Sequence, residues 1–227
     1  MQRNQDSSAS SASHFWRTVA PLVKSGDICT AEKTVRRGWP QSQLIEFLAE
    51  SDERIVHLTV MALGCVGDCG AIDPLTHKLL DNNPEIVRAA EHALWSIWLR
   101  SGQPKGLRYL KCGCEHLKHG NHETAIEKFT LAIMEDPGFA EAFNQRAIAY
   151  YLSGQYEKSI GDCHRVLAKI PVHFGALAGM GHCYTQLNQL ESARDCYQAA
   201  LRIHPGMEGI ADSLRSVQAI LGNKATG

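Results

Sequence analysis

Apolar residues in the C-terminal half of the chain recur every three or four positions, as in an amphipathic helix, and polar residues fill the positions between. The whole pattern repeats at a constant interval and ends each time at a proline, Pro137, Pro171 or Pro205. Upstream of each proline, residues fall in matching columns: Tyr109, Phe143, Leu177; Gly113, Ala147, Gly181; His116, Tyr150, Tyr184; Ala125, Ser159, Ala193; Phe129, Cys163, Tyr197; and Ala132, Val166, Ala200. A fixed period of this length predicts stacked pairs of antiparallel helices.

Two further features predict where the helices of each pair end. A column of Gly120, Gly154 and Asn188 follows the first helix, where a residue with left-handed backbone ends a helix at low cost. The proline column follows the second helix, because proline cannot continue a helix.

These columns resemble those of the tetratricopeptide repeat over about residues 104–205. The third unit keeps the family's pattern best, from Leu177 to Tyr184, whereas His116 replaces the tyrosine in the first. The resemblance assigns three units to residues 102–205. It also implies a capping helix and tail over residues 206–227, where the apolar residues at helical spacing are Ile210, Leu214, Val217 and Leu221.

A second, slightly shorter period is present upstream. Its matched pairs, all separated by the same interval, are Leu44 and Leu75, Leu48 and Leu79, Ile55 and Ile86, Val56 and Val87, Ala62 and Ala93, and Leu63 and Leu94. The pattern resembles short HEAT-type repeats, and we expect HEAT-like helical repeats over residues 14–101 and a disordered, serine-rich tail over residues 1–13. The predicted fold is therefore all-α, a right-handed α-solenoid (superhelix) of HEAT-like units followed by tetratricopeptide units.

Composition narrows the classes of partner. The formal net charge is −1 and charges of both signs are interspersed, so no basic stripe for nucleic acid is present. No apolar run is long enough to span a membrane, and the N-terminus does not have the apolar core of a secretory signal. We therefore expect a cytoplasmic protein whose eight cysteines are reduced thiols.

One segment has the residue types of a metal site: Cys112, Cys114, His116 and His119. On a helix, however, Cys112, His116 and His119 share one face while Cys114 points away from it. We therefore expect packing rather than metal binding, and no cofactor. No nucleophile elbow, zinc-protease motif or phosphate loop occurs, and the sequence predicts a protein that is not an enzyme.

In the family that the repeats resemble, the first helix of each unit lines a groove for a partner. Residues of these helices that the packing columns do not use are candidates for contact with a bound peptide: Leu107, Leu110, Cys114, Lys118, Glu141, Asn144, Ile148, Tyr151, Ala178, His182 and Gln186. Their mixture of apolar and hydrogen-bonding groups suits an extended or helical peptide.

Chaperone-binding members of that family hold a C-terminal carboxylate with a clamp of Lys, Asn and Arg side chains. The corresponding residues here are Leu110, Cys114, Gln145, Gly175 and Gly179. The resemblance therefore does not extend to this clamp, and a partner that contacts apolar and amide groups is expected instead.

The sequence thus predicts a protein–protein interaction scaffold or adaptor, which binds a peptide or a partner helix in the tetratricopeptide groove. Two alternatives remain open at this point. One is an accessory lyase or chaperone for a cofactor-bearing protein, resembling the HEAT-type bilin lyases; the other is a metal or redox sensor that uses Cys112, Cys114 and the neighbouring histidines. The oligomeric state is open as well.

Overall fold

The computed structural model describes the backbone of residues 2–225 and the side chains of residues 11–223. This part of the chain contains thirteen α-helices and no strand, which confirms the predicted all-α fold. The helices form two compact units, Met1–Trp98 and Leu99–Gly227. No described helix is both long enough and apolar enough to cross a membrane.

The N-terminal unit contains six helices: α1 Gln2–Lys24, α2 Ile28–Gly38, α3 Gln41–Phe47, α4 Glu53–Val66, α5 Ile72–Lys78 and α6 Pro84–Arg100. The starts of α3 and α5 are separated by the same interval as the starts of α4 and α6, and this interval is the period read from the sequence. Glycine at position 64 lets α4 pack closely on α6, because a Cβ atom there would lie only 3.0 Å from the Cβ of Ala93. The HEAT-like identity of these pairs stays a prediction.

The start of the chain differs from the predicted disordered tail over residues 1–13. Helix α1 begins at Gln2, so all of that segment except Met1, which lies outside the described residues, is helical. Ala12 is fully buried, and the Ser11 hydroxyl accepts a hydrogen bond from Gln43 Nε2 at 2.9 Å. Polar composition does not indicate these contacts, because a serine hydroxyl can bind the side chain of another helix as well as water.

The C-terminal unit contains seven helices: α7 Pro104–Lys118, α8 His122–Glu135, α9 Ala140–Leu152, α10 Tyr156–Lys169, α11 Phe174–Gln186, α12 Leu190–Ile203 and α13 Glu208–Ala225. The first residues of α8, α10 and α12 are separated by the same interval as Pro137, Pro171 and Pro205. Each of these helices ends two residues before one of the prolines. Three of the matched columns lie in the second helix of each pair, and they begin with Ala125, Phe129 and Ala132. All nine residues of these columns are buried, with 2% exposure or less. The core of this unit therefore repeats with the sequence.

The predicted left-handed column is confirmed. Gly120 and Gly154 have φ of 75°, and Asn188 has φ of 56°. No atom would contact a Cβ placed on Gly154, so any cost of a side chain there comes from the backbone conformation alone.

We expect Gly154→Ala to lower the free energy of unfolding by about 1–2 kcal/mol, because a side chain is strained at positive φ. Urea unfolding monitored by circular dichroism measures this change. Asn188→Gly is the matched control, and it should cause no loss of stability. Equal stability of Gly154→Ala and the natural protein would contradict the assignment.

Candidate functional site

A concavity of about 560 Å³, counting the space open to solvent, lies between α9, α10 and α11. We call it the α9–α11 concavity. Its lining consists of Asn144, Ala147, Ile148, Tyr151, Ser159, Cys163, Gly175, Ala178, Gly179 and His182. Most of these groups are small or apolar, and the lining includes no basic side chain other than His182.

The concavity lies where the second repeat has no aromatic ring and the other two repeats have one. In the first repeat the ring of Phe129 fills the space beside Gly113, and in the third the ring of Tyr197 fills the space beside Gly181. A Cβ on either glycine would lie within 2.5 Å of that ring. In the second repeat the column has Cys163, and its smaller side chain leaves the space beside Ala147 open.

Five of the residues predicted to line a groove do line this concavity: Asn144, Ile148, Tyr151, Ala178 and His182. Ile148 is 38% exposed and Tyr151 is half-buried, so both offer apolar surface at its edge. Sequence reasoning did not select Ser159 and Cys163, because they belong to columns assigned to packing. Cysteine in a column of aromatic residues is the signal that could have identified the opening.

The predicted groove residues of the first repeat do not line the α9–α11 concavity. Leu110 is 4% exposed, and Leu107 and Cys114 pack against the same apolar cluster, so these residues contribute to the core of the repeat. Leu110 does not line the α9–α11 concavity, and its place in a groove stays a prediction. Lys118 is exposed and pairs with Glu115 one turn earlier, and its Nζ atom lies 2.9 Å from Glu115 Oε1.

Glu141 is fully buried instead of facing a bound peptide, and this corrects its predicted place. Asn144 Nδ2 and Gln145 Nε2 donate to its Oε1 at 3.0 and 2.7 Å, and His173 Nε2 lies 3.2 Å from its Oε2. The backbone N–H of Ala176 donates to His173 Nδ1, so the proton of a neutral imidazole is on Nε2 and points to Glu141. Three donors thus satisfy a buried carboxylate.

His182 belongs to a second hydrogen-bonded chain beside the concavity. The Tyr197 hydroxyl lies 3.1 Å from the Thr185 hydroxyl and 2.9 Å from His182 Nδ1, so it is hydrogen-bonded to both side chains. The Thr185 hydroxyl also donates to the Gly181 carbonyl at 2.9 Å. Burial lowers the pKa of His182, which keeps the ring neutral near pH 7.

The last predicted groove residue, Gln186, is exposed at the end of α11 and does not line the concavity. Of the eleven candidates, the structure therefore brings together five, from α9 and the first three turns of α11. The residues toward either end of the unit do not join it.

The cysteines do not form a metal centre within the described residues, where no three Cys, His, Asp or Glu side chains are placed to share an ion. Burial raises the pKa of the Cys114 thiol, and it raises that of Cys163 to about 12 and that of Cys196 to about 11. These thiols are therefore protonated near pH 7, whereas the thiolate is the form that binds metals and reacts with oxidants.

The comparisons with known proteins concern the C-terminal unit. The family model of the tetratricopeptide repeat matches residues 175–207. A TPR repeat-containing protein of Rhizobium etli is 25% identical over 55% of this chain and 61% of its own length. The small glutamine-rich tetratricopeptide repeat-containing protein of Dictyostelium discoideum is 31% identical over 48% of this chain and 32% of its own. The chain thus spans less than two thirds of the length of these relatives.

Solved structures show the same fold. The Sgt2 TPR domain from Aspergillus fumigatus has a TM-score of 0.53 at 19% identity, covering 56% of this chain and 85% of that one. The first TPR of Spaghetti (RPAP3), bound to the HSP90 peptide SRMEEVD, has a TM-score of 0.51 at 24% identity, covering 52% and 94%. At these identities the likeness is one of fold alone. Together with the buried columns, it shows that the C-terminal unit has the fold of the tetratricopeptide solenoid domains, and residues 175–207 match the family model itself.

Proposed function

We propose that this protein is a non-enzymatic, cytoplasmic interaction scaffold or adaptor that binds a peptide segment or a helix of a partner protein in the α9–α11 concavity. The observation that carries the proposal is the opening left where Cys163 replaces an aromatic ring, with the apolar surface of Ile148 and Tyr151 at its edge. Partially exposed apolar surface beside a concavity is the usual anchor point of a peptide side chain.

The rigid helices on either side support this role. Helices α9, α10 and α11 pack against one another, and a buried apolar cluster that includes Ala147, Cys163 and Met180 holds them together. A preformed wall loses little conformational entropy when a partner binds. The protein therefore needs no folding step on the receptor side.

The likeness to the Spaghetti domain does not itself predict the ligand. That domain is bound to an HSP90 peptide ending in an acidic sequence. Here two of the residues at the clamp positions, Gly175 and Gly179, have no side chain that could bind a carboxylate, and both line the concavity. We propose a partner other than a chaperone C-terminus.

The proposal is tested by closing the concavity with residues that the neighbouring repeats already use. The double variant Ala147→Gly/Cys163→Phe copies the glycine–phenylalanine pair of Gly113 and Phe129, so the new ring should fill the opening. We expect helicity to stay and capture of partner proteins from a native lysate to fall at least about tenfold, as measured by quantitative mass spectrometry.

Met134→Ala provides the matched control, because Met134 is 72% exposed on α8 and does not line the concavity. Its captured proteins should equal those of the natural chain. A partner that the double variant captures as well as the natural chain would contradict binding in the concavity.

A further inference from the structure

A second concavity, of about 710 Å³ counting the space open to solvent, is formed by α7 and α8. We call it the α7–α8 concavity. Its lining consists of Lys105, Arg108, Tyr109, Cys112 and Lys128, and no carboxylate of the described residues belongs to it. The whole chain has 24 acidic and 23 basic residues, so three cations without an acid in one lining are a local concentration of positive charge.

Two of these cations occupy positions that the next repeat uses for packing. One repeat later, the positions of Lys105 and Arg108 are held by Phe139 and Ala142, which are 1% and 0% exposed and pack in an apolar cluster with Phe129. No helix pair of the C-terminal unit precedes the first one, and here the two positions are exposed. A terminal repeat needs a polar outer face, but charges of either sign would meet that need. The uniform positive sign is therefore a feature that solubility alone does not explain.

One of the three cations is neutralised by a carboxylate of the described residues. Lys105 Nζ lies 2.5 Å from Glu135 Oε1. Asp136, the next residue, accepts hydrogen bonds from two backbone N–H groups. Arg108 and Lys128 have no carboxylate partner in the part of the chain that the structure describes. Two positive charges from two different helices thus face one concavity uncompensated.

The cations stand on a rigid wall. Helices α7 and α8 pack on each other, and Tyr109 is half-buried against the apolar cluster between them. The positive charge of Arg108 lowers the pKa of Lys105, against the larger opposite effect of Glu135, so like charges repel one another here. Negative charge on a partner would relieve this repulsion, and a rigid wall loses little entropy when the partner binds.

From this arrangement we propose that the α7–α8 concavity binds an acidic segment of a partner protein, with two or more Asp or Glu side chains close together. The carboxylates would accept hydrogen bonds from Arg108 and Lys128, and apolar atoms of the segment would contact Tyr109 and Cys112. A nucleic acid fits less well, because a polyanion needs a continuous basic stripe and the net charge of the chain is −1.

This surface is separate from the partner site proposed above. The α7–α8 and α9–α11 concavities share no lining residue, and none of the positions that correspond to the carboxylate clamp lines the α7–α8 concavity. The proposal therefore adds a second binding surface to the scaffold and does not depend on the first.

The proposal is tested with a phage-displayed library of random linear peptides selected on the full chain. Phages that also bind Arg108→Gln/Lys128→Gln are removed, so that only ligands of the α7–α8 concavity remain. We expect Asp or Glu to be enriched at neighbouring positions. A synthetic copy of an enriched peptide should bind at least about tenfold more tightly than its Asp→Asn or Glu→Gln counterpart in fluorescence anisotropy.

Lys118→Gln/Arg202→Gln is the matched control, because it removes the same charge from two exposed side chains outside the lining. We expect this variant to keep the affinity for the acidic peptide, and Arg108→Gln/Lys128→Gln of equal helicity to lose at least about tenfold. Ala147→Gly/Cys163→Phe, which closes only the α9–α11 concavity, should also keep it. An equal loss in the matched control would show that net charge holds the peptide, and the proposal would fail.

Three further results would overturn the proposal. One is that no selected peptide depends on Arg108 and Lys128, and another is that the dependent peptides show no enrichment of Asp or Glu. The third is a fluorescein-labelled oligouridylate RNA that binds more tightly than the acidic peptide and is lost in Arg108→Gln/Lys128→Gln. Each of these results leaves the α9–α11 concavity standing, because Ala147→Gly/Cys163→Phe tests that site separately.

Discussion

Replacing Asp162 with alanine is expected to lower the free energy of unfolding of the C-terminal unit by about 3 kcal/mol, because it removes the carboxylate that pairs with the largely buried guanidinium of Arg146. Asp162 is 1% exposed, and its carboxylate accepts two hydrogen bonds from Arg146, at 2.7 Å from Nε and 2.9 Å from Nη2. Arg146 also donates to Thr130 on α8, so one side chain ties α8, α9 and α10 together. Guanidinium chloride unfolding monitored by circular dichroism measures the loss.

The matched control for this prediction is Arg165→Ala. Arg165 also contacts Asp162, at 2.8 Å, but its side chain is 58% exposed and solvent screens the pair. Its removal should cost no more than about 1 kcal/mol. If the two variants lost similar stability, the buried Arg146 pair would not be what ties the three helices together.

Gly181→Ala is the second change with a large expected effect, and it should destabilise the protein by about 1–3 kcal/mol through overpacking. The new Cβ would lie 2.4 Å from Cε1 of Tyr197. That ring is 1% exposed, and its hydroxyl is held by Thr185 and His182, so it has little freedom to move aside. Thermal and urea unfolding would both record the change.

Gly179→Ala, two positions earlier on the same helix, is the control. The nearest atom to its Cβ is Cys163 Sγ at 3.8 Å, an ordinary van der Waals contact. Alanine is the better helix former, so this variant should gain up to about 1 kcal/mol. A loss of the same size as for Gly181→Ala would mean that the ring of Tyr197 is not the cause.

The repeat architecture of the C-terminal half could be predicted from sequence because the residues that end and pack the helices recur three times. The proline column, the left-handed column and the buried columns of α8, α10 and α12 all appear at the predicted spacing. A single unit would not have distinguished a packing column from chance, whereas three units in register do.

The candidate site was harder to predict, because helical register gives the face of a residue but not its partners. Glu141 has the register of a groove residue, yet it pairs with His173, which is 32 positions away and starts the next repeat. Leu110 likewise packs in an apolar cluster that includes Phe129 of its own repeat and Phe139 of the next segment. Nothing in the local sequence of either residue signals these contacts.

The opening lies beside a side chain that is smaller than its counterparts in the other two repeats. Cys163 stands where Phe129 and Tyr197 stand in the other repeats, and that difference is visible in the sequence. Whether neighbouring side chains would close the gap depends on three-dimensional packing, and the structure shows that Ala147 and Gly179 do not.

Binding of a partner protein in the α9–α11 concavity is tested most directly by site-specific photocrosslinking. Benzoylphenylalanine is placed either at Ile148, at the edge of the concavity, or at Met134, exposed on α8 away from it. The partner captured by the natural chain should crosslink at position 148 and not at position 134. Crosslinking at position 134 with none at position 148 would contradict the account.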